Sequence, residues 1–246
     1  MQELCGRDSY TIDDLIRIVK ILRSPQGCPW DQEQDHHSIR NNFLEEVYEA
    51  VEAIDREDSA LLREELGDVL LQIVFHTCME EEQNRFDFSD VCTYICRKMI
   101  GRHPHVFGDK NAADRGEATR QWERQKRREK ELYTLQDCLQ QVCRALPALM
   151  RAQKLTDRAE KAGCSIFTGN HEIRRALEAA LDQSRNASPE ESRGRLLFLI
   201  AAQMNHLGLS AEEALSHETD RMIARFLEME HSTESCTGSA GGEERL

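Results

Sequence analysis

The sequence predicts an all-α protein, and three observations predict it. Apolar residues recur three and four positions apart rather than alternating. Prolines number only 5 and glycines 13 among 246 residues. No block of β-branched or aromatic residues is long enough to read as a strand. A chain of this length has material for one large domain or two small ones, each with its own core.

The charge balance, 32 Lys and Arg against 45 Asp and Glu, gives a formal net charge of −13. That opposes binding to DNA, RNA or anionic membrane, each of which needs a concentrated basic face. Neither a nucleic-acid nor a membrane partner is expected. The segment from Arg120 to Glu131 is rich in Arg and Lys but interleaved with Glu, and reads as a solvated helix. No basic start is followed by an apolar stretch, and no run approaches the roughly 20 apolar residues that span a bilayer. The nine cysteines, an odd number without Cys-x-x-Cys pairs, fit a reducing compartment. A soluble, cytoplasmic protein is the expectation.

Helix one is predicted over residues 12–23. Thr11-Ile12-Asp13-Asp14 is a start signal, Ile12, Leu15, Ile18, Val19 and Leu22 recur at helical spacing, and Ser24-Pro25 stops the run. The loop that follows, Pro25-Gln26-Gly27-Cys28-Pro29-Trp30-Asp31, holds one of only two tryptophans. Its indole can plug a core, the commoner use, or offer a flat face to a planar ligand.

Helix two, about residues 38–56, places Phe43, Leu44, Val47, Val51 and Ile54 along one side as a core-facing stripe. Glu46 and Glu49 share a different arc with Ala50 and Ala53, while Glu45 and Glu52 point towards solvent. Helix three, about 60–82, has Leu66, Val69, Leu70, Leu71, Ile73, Val74 and Phe75 around almost its whole circumference, the pattern of a buried helix. Its polar residues Glu65, Asp68, Gln72 and His76 lie on one strip, which something cationic must face.

The short link makes helices two and three antiparallel neighbours, so Glu46 and Glu49 can face Glu65 and Asp68. Four converging carboxylates without equal numbers of nearby Arg or Lys repel one another strongly. A hard divalent cation resolves this, and oxygen-only ligands select Mg²⁺ or Mn²⁺ over zinc. A salt-bridge cluster would need buried basic residues that these helices do not supply.

Helix four, about 88–100, has Phe88, Val91, Cys92, Ile95 and Met99 as its buried stripe, flanked by Lys98 and Arg102, with Arg97 pointing away. Lys98 and Arg102 can hold substrate phosphates or pair with the surplus acids. Cys92 and Cys96 with His103 and His105 lack the spacing of a tetrahedral zinc site and read as buried thiols.

Five segments together resemble the MazG-type nucleoside triphosphate pyrophosphohydrolases. They are Gly27-Cys28-Pro29-Trp30-Asp31-Gln32-Glu33-Gln34, Glu45-Glu46-x-x-Glu49, Glu65-Leu66-Gly67-Asp68, Phe86-Asp87-Phe88 and Arg102-His103-Pro104-His105-Val106-Phe107. The resemblance implies an all-α fold, usually an obligate homodimer, that hydrolyses nucleoside triphosphates to the monophosphate and pyrophosphate. It implies Glu46, Glu49, Glu65 and Asp68 as Mg²⁺ ligands and Trp30 beside the base; one of the ligand carboxylates, Glu49 or Glu46, is the expected acceptor of the proton from water. Lys98 and Arg102 are candidate substrate contacts.

The resemblance continues at Leu146-Pro147-Ala148-Leu149-Met150-Arg151-Ala152-Gln153-Lys154, which looks like the start of a second such unit. Gly194-Arg195-Leu196-Leu197-Phe198 mirrors Gly67-Asp68-Val69-Leu70-Leu71. In this second copy Arg195 stands in place of aspartate and Ser192 in place of glutamate, and Arg174-Arg175-Ala176-Leu177-Glu178 is the nearest approach to Glu-Glu-x-x-Glu. The tryptophan is replaced around Gly163-Cys164-Ser165-Ile166. Arginine cannot ligate a cation, so this copy is expected to be metal-free.

The expected organisation is therefore tandem units: 1–108 with an intact metal motif, a charged helical linker over 109–136, a degenerate unit over 137–230, and a disordered tail over 231–246. Leu196, Leu197, Ile200, Met204 and Leu207 keep an apolar pattern that suits packing or dimerisation. The competing expectation is a weakly active or inactive dimerisation or regulatory protein.

Overall fold

A computed structural model of the chain describes residues 2–109, 111–130, 134–164, 169–183 and 188–237. Among them there are helices and no strands. They divide into two compact units, Met1–Trp122 and Glu123–Leu246, the division falling inside the segment expected as a linker.

In the first unit a short 3₁₀ turn, Gln2–Leu4, precedes α1, Ile12–Arg23. Thr11 and Asp14 form a reciprocal cap: the Thr11 hydroxyl accepts from the Asp14 N–H at 3.4 Å, and the Asp14 carboxylate accepts from the Thr11 N–H at 2.9 Å. α2 (Pro29–Glu33) is a five-residue helix inside the predicted loop. The chain enters it through Gly27, where any Cβ would lie 2.1 Å from the Leu22 carbonyl oxygen. Only glycine fits that approach.

α3 (Arg40–Asp55) and α4 (Ser59–Glu82) are antiparallel, joined by a turn in which Glu57 takes a left-handed φ of 53°. The Asp58 carboxylate then caps α4 by accepting from the N–H groups of Ala60 and Leu61. α5 (Phe88–Arg102) and the single turn α6 (Pro104–Phe107) follow. The core of the unit is Val19, Ile39, Val74, Phe75, Cys78 and Met79, packed by Leu15, Ile16, Leu71 and Phe88.

Three buried stripes of the sequence reading need correction. On α3 the buried residues are Ala50 and Ala53, whereas Leu44, Val47, Val51 and Ile54 are exposed. On α4 complete burial is confined to the second half, from Val74 to Met79 apart from His76, and to Glu65; Leu66 and Leu70 are exposed. On α5, Cys92 and Ile95 are exposed, and so is Cys96, so these are not buried thiols. In each case the helical period was correct, but amphipathicity marks a face without saying what covers it.

α7 (Arg115–Glu129) crosses the division. It is not solvated all round: Trp122 is half-buried in the first unit, and Glu123, Lys126 and Arg127 are half-buried in the second. The second unit continues with α8 (Leu135–Gln140), α9 (Ala148–Lys161), α10 (Asn170–Gln183), α11 (Pro189–His206) and α12 (Ala211–Thr237). α11 packs on both α9 and α10. Its buried residues are Ser192, Leu199, Ala201 and Ala202, while Leu197, Ile200 and Leu207 of the predicted stripe are exposed. α12 runs past residue 231 to Thr237; the rest of the expected tail, 238–246, lies outside the described residues. So do Ser165 and Ile166, from the loop where the second copy lacks its tryptophan.

Ala53 is fully buried where α3 meets α4. Ala53→Leu should therefore overpack that seam and cost about 1–3 kcal/mol, read as a lower urea midpoint at unchanged slope.

Candidate functional site

The same seam holds the acids. Ala50 and Ala53, one and two turns after Glu46, let α3 approach α4 closely, so Glu46 and Glu49 are carried against Glu65 and Asp68. Glu46, Glu49 and Glu65 each offer a carboxylate oxygen, and these oxygens lie within 4.8 Å of one another. Glu65 is buried at 9% exposure, Glu46 and Asp68 are half-buried, and Glu49 is exposed. The cluster therefore has a closed floor and an open rim.

Burial pushes the Glu46 carboxyl above the usual carboxylate range, and the charges of Asp68, Glu49, Glu65 and Glu45 push it further. Burial likewise raises Glu65, followed by the charges of Glu49, Glu64 and Asp68. The leading charged neighbours of both groups are carboxylates. Mutual repulsion, not ion pairing, is thus the leading charge effect on Glu46 and Glu65.

The donor set fits a hard divalent cation. Bonds of about 2.1 Å place opposite ligands of an octahedral ion about 4.2 Å apart. Three oxygens within 4.8 Å can close around such an ion with side-chain shifts of less than about 1 Å. Among the described residues this is the one group of acids, histidines or cysteines gathered closely enough to ligate a metal.

Trp30 sits on α2 with 58% of its surface exposed. It does not plug the core; its ring is available for stacking. Arg23 fixes the segment that carries it, donating to the carbonyls of Asp31 at 2.7 Å and Gln34 at 3.2 Å while pairing with Glu82 on α4 at 2.7 Å. Lys98 and Arg102 meet aromatic rings: the Lys98 ammonium lies 5.7 Å from the Tyr94 centroid, and the Arg102 guanidinium 5.2 Å from that of Trp122. Arg102 is buried, at 4% exposure.

Further along the polar strip of α4, Gln72 keeps its buried Oε1 without a hydrogen-bond partner. His76 stacks on His36, their Nδ1 atoms 2.8 Å apart, and the other His36 nitrogen meets Glu80 at 2.6 Å. Burial and then His36 hold the His76 pKa below its ordinary value. Glu80 at this end is met by the Arg85 guanidinium and by the His36 ring. The sequence reading did not single out His36, which precedes helix two and shows no period with α4.

An antiparallel helix pair that presents Glu-x-x-Glu against Glu-x-x-Asp defines an all-α carboxylate-cluster class, built to gather acids rather than to pair them. Comparison with known proteins narrows the class. Residues 34–107 match the MazG nucleotide pyrophosphohydrolase domain. The chain is 41% identical over 231 residues to the nucleoside triphosphate pyrophosphohydrolase of Escherichia coli strain K12, covering 89% of this chain and 87% of that protein. It is 35% identical over 226 residues to the nucleoside triphosphate pyrophosphohydrolase/pyrophosphatase MazG of Thermotoga maritima, covering 90% and 86%. It is also 40% identical over 153 residues to a nucleoside triphosphate pyrophosphohydrolase of Mycolicibacterium smegmatis, covering 61% and 46%. The chain belongs to the MazG family.

The raised carboxyls give a pH signature. A carboxyl held above its ordinary range favours folding most below that range, and the benefit is lost as pH rises through the raised value. Glu65→Gln should therefore stabilise the metal-free protein near neutral pH, by an amount that shrinks as pH falls into the ordinary carboxylate range. If the cluster holds Mg²⁺, the cation should raise the wild-type melting temperature and the same variant should lose most of that rise. Melting curves with and without Mg²⁺ across pH check both.

Proposed function

We propose that the protein is a Mg²⁺-dependent nucleoside triphosphate pyrophosphohydrolase, converting a nucleoside triphosphate and water into the monophosphate and diphosphate. The observation that carries the reading is the trio Glu46, Glu49 and Glu65 within 4.8 Å, whose leading charged neighbours are acids. Family membership and the names of the relatives support the reaction.

In this reading Glu46, Glu49, Glu65 and Asp68 hold the ion, Mg²⁺ or Mn²⁺. The bound cation supplies neutralisation of the triphosphate and a lowered pKa for water. Without it the cluster would repel the substrate. Glu65, on the closed floor, anchors; Glu49, at the open rim, takes the proton from the attacking water, with Glu46 as the neighbouring carboxylate able to share that role. The water adds to the α-phosphorus, the bond from that phosphorus to the α–β bridging oxygen breaks, and diphosphate leaves. The exposed indole of Trp30 stacks on the base, and Lys98 is the proposed phosphate contact; Arg102, buried at 4% exposure against Trp122, is not presented to a substrate in this arrangement.

The second unit is read as a degenerate copy. Ser192 is buried, at 6% exposure, where the first copy has Glu65 at 9%. Arg195, in the place of Asp68, is exposed, and Glu178 pairs with Arg174 at 3.3 Å on an exposed face. A hydroxyl and an arginine do not assemble the hard anionic ligand set that the proposed Mg²⁺ site uses.

Exposed apolar residues support a homodimer. Leu44, Val47, Tyr48 and Val51 recur along α3, and Leu66 and Leu70 along α4. Together they make an apolar face on the very helices that carry the acids, and a second copy of this chain is its proposed cover. A reducing, cytoplasmic setting suits a chain in which no disulfide joins the eight cysteines whose side chains are described. No helix among the described residues is long and apolar enough to cross a membrane.

With Mg²⁺ and a panel of NTPs and dNTPs, wild type should release diphosphate. Glu46→Ala and Asp68→Ala should each lower kcat by at least about 100-fold, and Arg195→Asp should bring no gain. Activity that survives both first-unit substitutions would overturn the reaction proposal. For the dimer, Val51→Glu should halve the mass measured by light scattering; a wild type that is already monomeric would refute it.

A further inference from the structure

The second unit carries a small, half-open cavity that none of the chemistry above uses. About 40 Å³ in volume, it lies between α7 and α9 with Cys138 of α8 in its wall. Five of its lining side chains are cationic, Lys126 and Arg127 from α7 and Lys154, Arg158 and Lys161 from α9; two are acidic, Glu123 and Asp157. That is a local excess of positive charge in a chain whose net charge is −13.

Both acids are engaged by one cation: Lys161 meets Asp157 at 3.0 Å and Glu123 at 3.5 Å. The arginines are oriented by neutral groups. Arg158 donates to the Cys138 carbonyl at 3.0 Å, and Arg127 donates to the carbonyl of Lys161. Those bonds fix the guanidinium planes without cancelling their charge. Lys126 feels the crowding: burial lowers its pKa, Glu123 raises it, and the charges of Lys154, Arg158 and Lys161 lower it again. Concentrating like charges in a half-buried cavity costs free energy that a bound anion returns.

Size and donor geometry narrow the ligand. A cavity of 40 Å³ has room for about three waters at roughly 10–15 Å³ each, which is the bulk of one tetrahedral oxyanion. Planar guanidinium forks with ammonium groups around them are the donor set that phosphate oxygens select. We propose that the α7–α9 cavity is an oxyanion site that takes one phosphate group, free or carried on diphosphate or a nucleotide, without a divalent cation. It is independent of the carboxylate cluster, which requires a cation before it can meet a phosphate. The second unit would then respond to the phosphate-bearing species present around the enzyme rather than serve packing alone.

The test is titration calorimetry on the full chain in EDTA buffer, with inorganic phosphate, diphosphate and AMP as probes. Comparison proteins are Lys154→Gln, Lys126→Gln, Lys154→Arg and, for the first unit, Asp68→Asn, each checked for native helicity and melting temperature. The expected result is saturable, metal-independent binding of at least one probe. Each Lys→Gln change should weaken it at least about tenfold, with Lys154→Arg and Asp68→Asn close to wild type. Tight binding of phosphate and diphosphate marks a site for the free ion, whereas preference for AMP marks a phosphate carried on a nucleotide. Absence of saturable binding in the folded wild type would overturn the proposal. So would affinity unchanged in both folded Lys→Gln variants, or affinity lost in Asp68→Asn alone. Because divalent cations are excluded, failure here leaves the pyrophosphohydrolase reading intact, and the converse also holds.

Discussion

The structure of the first unit depends on holding like charges together. Glu46, Glu49, Glu65 and Asp68 gain nothing from one another, and burial makes their proximity worse. What keeps them there is the α3–α4 seam, where Ala50 and Ala53 replace the large apolar side chains that a bundle seam usually carries. Small residues bring the backbones close and leave the carboxylates as the bulkiest groups available to fill the gap. The larger apolar residues of α3 are then turned outward. An acidic cluster and an exposed apolar face are two results of one choice of packing.

Stability for this arrangement comes from elsewhere in the unit. The core of Val19, Val74, Phe75, Cys78 and Met79 lies around the C-terminal half of α4, away from the acids. Arg23, its side chain 7% exposed, ties α1 to Glu82, to the backbone that carries Trp30, and to the face of Phe75 at 5.1 Å. The Glu82 side chain is 47% exposed, so the ion pair itself is screened by solvent; it is the buried Arg23 head group that couples the aromatic loop to the same helix that bears Glu65 and Asp68. The two ends of α4 divide the labour, one supplying stability and the other carrying charge.

Much of this was legible in the sequence. The predicted bounds 12–23, 38–56, 60–82 and 88–100 fall within two residues of α1, α3, α4 and α5, because start signals and helical period are local properties. The acids were legible because Glu-x-x-Glu and Glu-x-x-Asp place side chains on one face whatever surrounds them. What the sequence misassigned was burial. Val47 and Val51 are indistinguishable by period from a core stripe, and only packing shows that α4 meets the alanine side instead. Trp30 in a rigid loop is equally compatible with plugging a core and facing outward. His36 and the cavity around Lys126 join segments distant in sequence, and no spacing rule within one helix reports such contacts.

If the proposed correspondence between the units holds, a ligand set is separable from the scaffold that presents it. Ser192 and Glu65 are both nearly inaccessible, so the position is a buried one in either copy, whatever its side chain. With serine there the second seam avoids the cost of a buried carboxylate, and α10 and α11 pack without needing a cation to neutralise them. The positive charge of the second unit is concentrated instead between α7 and α9. In the proposed reading one unit gathers acids that meet a triphosphate through a metal, and the other gathers bases that meet a phosphate directly. Opposite local charge in two units of one acidic chain is what a division between transforming a phosphate compound and sensing one would require.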